Sequence, residues 1–121
     1  MMFKIILAIA FSMFPLTIGS QNPSVYIHGG NAEDIVNKCD ERTGPGLSYC
    51  FGYLLGVADM HNALNAVLSS QKDNTYCLPD NTSVSQLTKV VAKYGHDHPE
   101  ELNQAALFLV NNAFARAFPC K

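Results

Sequence analysis

Four cysteines that follow an apolar N-terminal segment constrain this chain more than any other feature of its sequence. They are Cys39, Cys50, Cys77 and Cys120. In an exported chain, an even number of cysteines is typical of a disulfide framework, and four predict two bonds. A zinc site or a redox-active pair would use closely spaced cysteines such as C-x-x-C, and the sequence contains no such pair. We therefore expect a small domain stapled by two structural disulfides.

The N-terminal segment has the layout of a secretory signal peptide. A cationic start that ends at Lys4 precedes an almost uninterrupted apolar run over 5–19, and Ser20 then offers a small residue for cleavage. The run is too short to cross a membrane easily, and Pro15 interrupts it, which argues against the alternative of an uncleaved anchor. The sequence thus predicts a signal peptide over 1–20, cleaved near Ser20, and a mature domain over 21–121 in the periplasm.

The charge of the mature chain excludes some classes of partner. Once Lys4 leaves with the signal peptide, seven basic residues remain against ten acidic ones, so the net charge is −3. The basic residues form no stripe, whereas nucleic acids and anionic membranes attract basic surfaces. We therefore expect no nucleic-acid partner and no membrane association after cleavage. The remaining length suits one domain with a modest core.

Capping signals and helical periodicity predict an all-α fold. Asn31 has the features of an N-cap for a first helix that ends before the Gly44-Pro45-Gly46 turn. A second helix is predicted from Ser48, as its cap, to about Ser69. Ser83 and Gln86 have capping-box spacing at the start of a third helix, which Gly95 is expected to end.

A fourth helix is predicted from Pro99, a favoured first position, up to Pro119. The fold class is therefore a small four-helix, disulfide-stapled domain after a signal peptide, with five helices as the alternative. Within the second helix, Gly52 and Gly56 lie four residues apart on one face. We expect them to allow tight packing in the core; dimerisation, as in membrane helices, is the alternative.

The order of the helices favours one of the three possible disulfide pairings. A very short turn between the third and fourth helices predicts that they are antiparallel. The fourth helix, at about 19 residues, would be roughly 28 Å long, so the extended segment over 78–82 can return Cys77 to Cys120. Cys39 and Cys50 flank the turn between the first two helices. We therefore predict the pairs Cys39–Cys50 and Cys77–Cys120.

The sequence shows no recognisable catalytic or metal constellation. Asp59 and His61 are two residues apart on a helix and point in different directions. His96 and His98 fall in a predicted turn, where His98 is expected to act as an N-cap. No serine elbow or glycine-rich phosphate loop is present. We therefore expect a protein that is not an enzyme, with no metal and no cofactor, and that acts by binding a partner.

One polar segment, over 69–76, is long enough to project from the scaffold and contact a partner. Its side chains offer hydrogen-bond donors and acceptors and one aromatic ring; the candidate contact residues are Gln71, Lys72, Asp73, Asn74 and Tyr76. Cys77 is expected to hold the far end of the segment, and the second helix its near end. An ordinary solvated connection is the alternative.

Three stretches together resemble the Rap/Tai family of immunity proteins of bacterial type VI secretion. They are CFGYLLGVAD at 50–59, then Cys77-Leu78-Pro79 with Gln86-Leu87 and Val90-Val91, and His98-Pro99-Glu100 through Ala117-Phe118-Pro119-Cys120. The resemblance covers most of the mature chain. It implies a small periplasmic helical protein, often a homodimer, that binds a cognate secreted peptidoglycan amidase and occludes its cysteine–histidine active site.

The resemblance and the residues predict the same class of function, a stoichiometric inhibitor. The predicted partner is the amidase toxin. The alternative is a periplasmic stress chaperone or envelope protein of the same fold with no toxin partner.

Overall fold

The computed structural model of the protein describes residues 30–68 and 75–121. In chain order, the described residues form α1 (Ala32–Asp40), α2 (Pro45–Leu68), α3 (Val84–Asp97), a single 3₁₀ turn (Pro99–Glu101) and α4 (Ala106–Ala117). Within these two ranges four α-helices form and no strand does, which confirms the predicted all-α, four-helix class. No helix in the described ranges is both long and apolar enough to cross a membrane.

Helix α1 lies at the centre of the domain, although it is the shortest of the four helices. It packs against α2, α3 and α4. Its inward side chains are Ala32, Ile35, Val36 and Cys39, each of which is buried. These residues merge with apolar residues of the other helices into one core, whose largest members are Tyr76, Phe114, Leu54, Leu109, Val91 and Val110.

Two of the predicted helix starts are confirmed by their capping bonds. The backbone N–H of Asp34 donates to Asn31 Oδ1 at 2.9 Å, so Asn31 caps α1. The backbone N–H of Gln86 donates to Ser83 Oγ at 3.2 Å, so Ser83 caps α3. Each bond satisfies one of the backbone donors that a helix leaves unpaired at its start.

Both predicted disulfides form, and no cysteine is free. Cys39–Cys50 joins the last turn of α1 to the first turns of α2, and Cys77–Cys120 joins the segment before α3 to the end of the chain. The Cα–Cα distances are 5.2 and 5.0 Å, respectively. In the chain-entropy treatment, loops of these lengths contribute roughly 3 and 4 kcal/mol to the free energy of unfolding.

The predicted start of α2 at Ser48 is wrong. The helix begins at Pro45, whose fixed φ and missing N–H suit a first helical position. Gly44 makes the preceding turn with a φ of +100°. Ser48 lies inside the first turns, where its hydroxyl donates to the carbonyl oxygen of Gly44 at 3.3 Å instead of capping the helix.

The continuous helix predicted from Pro99 to Pro119 is also wrong. A 3₁₀ turn covers Pro99–Glu101, and α4 begins only at Ala106 and has 12 residues. The backbone N–H groups of Ala32 and Glu33 donate to the carbonyl oxygens of Gln104 and Leu102 at 2.9 and 3.0 Å. The link between α3 and α4 therefore satisfies the unpaired donors at the start of α1 instead of continuing as a helix. The very short turn predicted between the third and fourth helices does not exist, although the disulfide pairs are correct.

Three helical glycines occupy positions different from those predicted. Gly95 does not end α3, which continues to Asp97; it is buried against Val36. Gly52 and Gly56 do not pack in the core, because both are exposed and a Cβ at either position would meet no atom within 4 Å. The close helix approach that Gly52 and Gly56 were expected to allow is thus made at Gly95.

This contrast predicts opposite effects of alanine at two helical glycines. In Gly95→Ala, the new Cβ would lie 2.3 Å from Val36 Cγ2, and Val36 is stiff and buried, so we expect the free energy of unfolding to fall by about 1–3 kcal/mol. In Gly52→Ala, the Cβ enters open space. The higher helix propensity of alanine should therefore raise the free energy of unfolding by up to about 1 kcal/mol. Urea unfolding of the oxidised proteins, followed by circular dichroism, measures both. Equal stability of Gly95→Ala and the parent protein would contradict the contact with Val36.

Candidate interaction surface

The predicted contact residues Gln71, Lys72, Asp73 and Asn74 lie outside the described residues. The chain on both sides of them is described: α2 ends at Leu68, and the chain resumes at Thr75. The candidate interaction surface consists of this segment and the residues that flank it.

Tyr76 is not available to a partner, which corrects the prediction that its ring makes a binding contact. Its side chain is only 1% exposed. The ring stacks on His61 at a centroid distance of 3.8 Å and meets Phe114 edge-on at 5.3 Å. An aromatic ring in this position belongs to the core. Tyr76 therefore anchors the end of the segment to the scaffold, and its ring does not contact a partner.

The backbone beside Tyr76 is held by α2 and by the end of the chain. His61 Nε2 donates to the carbonyl oxygen of Tyr76 at 3.0 Å, and the N–H of Cys77 donates to the carbonyl oxygen of Phe118 at 2.9 Å. The Cys77–Cys120 disulfide adds a covalent tie at the same place. The far end of the segment is therefore fixed to two separate parts of the scaffold, as the sequence predicted for Cys77.

Apolar side chains are exposed at the near end of the segment, where α2 ends. Leu64, Val67 and Leu68 are 49, 78 and 64% exposed. Contiguous exposed apolar side chains mark contact surfaces more often than isolated ones do. In the sequence, Leu64, Val67 and Leu68 fit the apolar period of the second helix, and periodicity alone does not distinguish exposed apolar residues from core residues.

A second cluster, at the 3₁₀ turn, brings together one histidine and two carboxylates. Atoms of His98, Glu100 and Glu101 that could act as ligands lie within 4.8 Å of one another. Glu101 accepts hydrogen bonds from Tyr94 Oη (3.0 Å), Gln104 Nε2 (2.9 Å) and Asn112 Nδ2 (3.2 Å). Its carboxylate thus fastens the turn to α3 and α4.

His98 does not cap a helix, contrary to the sequence prediction. Its side chain makes no capping bond; the ring instead stacks on Tyr94 at 4.1 Å, and Nδ1 lies 3.1 Å from Glu100 Oε1. Burial, followed by the hydrogen bond to Glu101, raises the pKa of Tyr94. These contacts assign the cluster a structural role within the turn.

A groove of about 500 Å³ runs between the Cys39–Cys50 turn and α3. Both signs of charge line it: Asp40, Glu41 and Arg42 come from the end of α1 and the turn after it, and Lys89 and Lys93 come from α3. Across it, His96 Nε2 approaches Asp40 Oδ2 at 3.3 Å. The groove has no convergent set of catalytic groups, and its mixed charge selects no particular ligand.

A comparison with protein-family models identifies the class of the protein. The family model of Rap1a immunity proteins matches residues 31–120, about three quarters of the chain. The chain belongs to the Rap1a immunity protein family. No curated protein and no solved structure shows significant similarity to it.

The region that matches the Rap1a family contains all the helices that the structure describes. It begins at Asn31, the N-cap of α1, and ends at Cys120, the last cysteine. All four helices, both disulfides and the segment over 69–76 lie inside it. The family resemblance predicted from the sequence motifs is therefore confirmed.

Tyr76 also generates a prediction about stability. Its hydroxyl is buried and has no hydrogen-bond partner among the described residues. Tyr76→Phe removes this unsatisfied group, so at pH 7 we expect the free energy of unfolding to stay equal or rise by about 1–2 kcal/mol. As the matched control, Tyr94→Phe loses a hydrogen bond to Glu101 and should cost about 1 kcal/mol. A large loss in Tyr76→Phe would show that the hydroxyl has a partner.

The same residue should make stability depend on pH in alkaline solution. Burial raises the pKa of Tyr76 to about 12 from an unfolded value of 10.0. Because the folded state keeps its proton at pH values where the unfolded state loses it, the contribution of Tyr76 is complete below pH 10 and is lost as the pH rises to about 12. Tyr76→Phe should therefore show a smaller loss of stability between pH 10 and 12 than the parent protein does. An identical alkaline profile would contradict the burial of this ring.

Proposed function

We propose that this protein is a periplasmic immunity protein that binds and inhibits a type VI secreted peptidoglycan amidase, which protects the producing cell and its kin. The observation that carries the proposal is the match to the Rap1a immunity protein family over residues 31–120. An immunity protein acts on a cognate effector, so family membership supports the class of partner. The amidase is the finer proposal, and it rests on the resemblance of the sequence motifs to the Rap/Tai family.

The proposed compartment follows from where the chemistry would take place. Peptidoglycan lies outside the cytoplasmic membrane, so an inhibitor of an enzyme that cleaves it must be exported. The two disulfides support export, because such bonds persist in oxidising compartments such as the bacterial periplasm. The signal peptide predicted over 1–20 would direct it there.

Inhibition by binding needs a rigid surface that fits the cleft of the enzyme. The segment over 69–76 is held at its far end by Tyr76 and Cys77 and at its near end by α2. A segment fixed at both ends loses less conformational entropy on binding than a free one. Gln71, Lys72, Asp73 and Asn74 would form hydrogen bonds inside the cleft, and Leu64, Val67 and Leu68 would pack around its rim.

We further propose that the protein acts as a homodimer, as the resemblance to the Rap/Tai family implies. In such a dimer, each copy would carry its own segment over 69–76. The inhibitor would then bind amidase in a ratio of one copy to one enzyme molecule.

The segment can be tested by replacing Gln71–Asn74 with a Gly/Ser linker of equal length. The replacement removes the polar side chains and leaves the anchors at Tyr76 and Cys77 in place, so the fold and both disulfides should persist. Inhibition of the cognate amidase should weaken at least about tenfold, equivalent to about 1.4 kcal/mol. The assay measures release of soluble fragments from purified peptidoglycan by a secreted amidase that co-purifies with the tagged mature protein.

A matched control changes another exposed connection of the same domain. Arg42→Gly with Thr43→Ser alters the turn between α1 and α2, far along the chain from the segment, and should leave inhibition unchanged. Full inhibition by the folded linker variant would show that the amidase binds another surface of the protein. A purified protein that suppresses the aggregation of unfolded proteins but does not affect any secreted amidase would instead support the stress chaperone.

A further inference from the structure

The two disulfides of this domain differ in their exposure to solvent. Cys39 and Cys50 are 5 and 0% exposed and belong to the apolar core. Cys77 and Cys120 are both exposed residues, and neither belongs to that core. Thiol–disulfide exchange begins when a thiolate reaches one sulfur of the bond, so its rate depends on access. The fold therefore encloses one disulfide and leaves the other at the surface.

The two bonds also differ in what must move before a reductant can reach them. Cys39–Cys50 joins α1 to α2 inside the core, so a reductant reaches it only when these two helices separate. Cys77 precedes α3 and Cys120 follows α4, so both ends of the second bond lie outside the helices. Segments outside the helices open at a lower free energy than the packed core does. The surface bond can thus react while the helices stay packed.

Contacts on both sides of the surface bond do not depend on it. The ring of Tyr76 is enclosed by His61 and Phe114, and Phe118 is 9% exposed and meets Phe114 edge-on at 6.4 Å. These rings belong to the core that α1 organises, and Cys39–Cys50 would remain oxidised within it. We therefore expect the domain to keep its fold after the surface bond opens.

The backbone beside the bond would nevertheless be held less firmly. The N–H of Cys77 donates to the carbonyl oxygen of Phe118 at 2.9 Å, and the disulfide two residues farther along keeps these two strands of chain together. Without the covalent bond, this hydrogen bond between exposed segments opens by local fluctuation. The effect falls on Cys77, where the proposed inhibitory segment over 69–76 re-enters the scaffold.

We propose that Cys77–Cys120 is a redox-sensitive link: a dithiol reductant opens it in the folded protein, leaves Cys39–Cys50 oxidised, and thereby releases the backbone around Cys77. The domain would thus have one permanent disulfide that maintains the fold and one reducible disulfide that holds the far end of the segment. Exposed disulfides are in general the labile and regulatory ones, whereas enclosed bonds resist reduction.

The reaction is a two-electron exchange with a dithiol. One thiolate of the reductant attacks a sulfur of the Cys77–Cys120 bond, forms a mixed disulfide and expels the other cysteine as a thiolate, which takes up a proton. The second thiol of the reductant then attacks the mixed disulfide and releases the remaining cysteine. The reductant leaves as its own disulfide, and Cys77 and Cys120 become two thiols.

The order of reduction tests the first part of the proposal. The full mature, oxidised protein is incubated with dithiothreitol, free thiols are alkylated at intervals, and peptide mass spectrometry identifies the labelled cysteines. In the folded protein, Cys77 and Cys120 should be labelled at least about tenfold faster than Cys39 and Cys50. In concentrated urea, where both bonds are accessible, the rates should agree within about threefold. Equal rates in the folded protein, or earlier labelling of Cys39 and Cys50, overturn the proposal.

Release of the backbone is tested by hydrogen–deuterium exchange in two samples. One is Cys77→Ser with Cys120→Ser, and the other is the parent protein with only this bond reduced and alkylated. Peptides that cover 75–81 should exchange at least about tenfold faster than in the oxidised parent, and peptides that cover α1 should change less than about twofold. Unchanged exchange around Cys77, or loss of the whole fold in both samples, overturns the proposal.

A last measurement connects the bond to inhibition, and this part rests on the proposed function. The serine variant is used, so that the amidase is not exposed to a reductant. Its inhibition should be at least about fivefold weaker than that of the parent, because a segment that is fixed less firmly loses more entropy on binding. The same two serines introduced into the Gly/Ser linker variant should weaken inhibition less than about twofold, because that segment has already lost its polar contacts.

The outcomes separate this proposal from the proposed function. Undiminished inhibition by the serine variant would overturn the connection between the bond and the segment. An oxidised parent protein that inhibits no amidase would contradict the proposed function. In that case, the order of reduction and the exchange around Cys77, which are both measured without an amidase, still decide whether the link is redox-sensitive.

Discussion

The rest of the structure depends on how the short helix α1 is held at three points. A nine-residue helix is not stable alone in water, so its packing must supply the stability. At its start, backbone donors bond to the carbonyl oxygens of Leu102 and Gln104. At its middle, Val36 occupies the space that Gly95 leaves free, and at its end Cys39 is bonded to Cys50. Each point attaches a different part of the chain, so α1 organises the whole domain. A domain of this size buries only a modest core, and the two disulfides reinforce it.

A second set of contacts connects this fold to the proposed function. Tyr76 is inserted between His61 and Phe114, and Cys77 beside it is tied to Cys120, so the chain re-enters the scaffold at a fixed place. The preceding residues, over 69–74, begin at the exposed apolar end of α2. The proposed inhibitor thus combines rigid anchors with a short polar segment between them, an arrangement that limits the entropy lost on binding.

The sequence predicted the features that depend on local chemistry. The caps at Asn31 and Ser83 are hydrogen bonds over three residues, and Cys39 and Cys50 flank a single turn. The Cys77–Cys120 pair is correct, although the short turn from which it was predicted does not exist. The predicted helix ends were wrong where contacts with residues distant in the sequence decide whether a helix continues. Residues 102–105 leave the predicted fourth helix because α1 needs their carbonyl oxygens, and Gly95 stays inside α3 because Val36 packs on it. For the candidate site, the sequence found the polar segment and its anchor at Cys77, but it assigned Tyr76 to the surface. Composition alone does not reveal that this ring is enclosed by residues of two distant helices.

The central claim is that the segment between α2 and Tyr76 is where the amidase binds. Hydrogen–deuterium exchange of the mature, oxidised protein, alone and with its co-purified amidase, tests this claim most directly. In the complex, we expect slower exchange in peptides that cover residues 69–75. Peptides that cover Cys77 should change little, because its amide is already bonded to Phe118 in the free protein. Unchanged exchange over 69–75 in a stable complex, with protection at the groove beside Arg42 and Lys89 instead, would contradict the account.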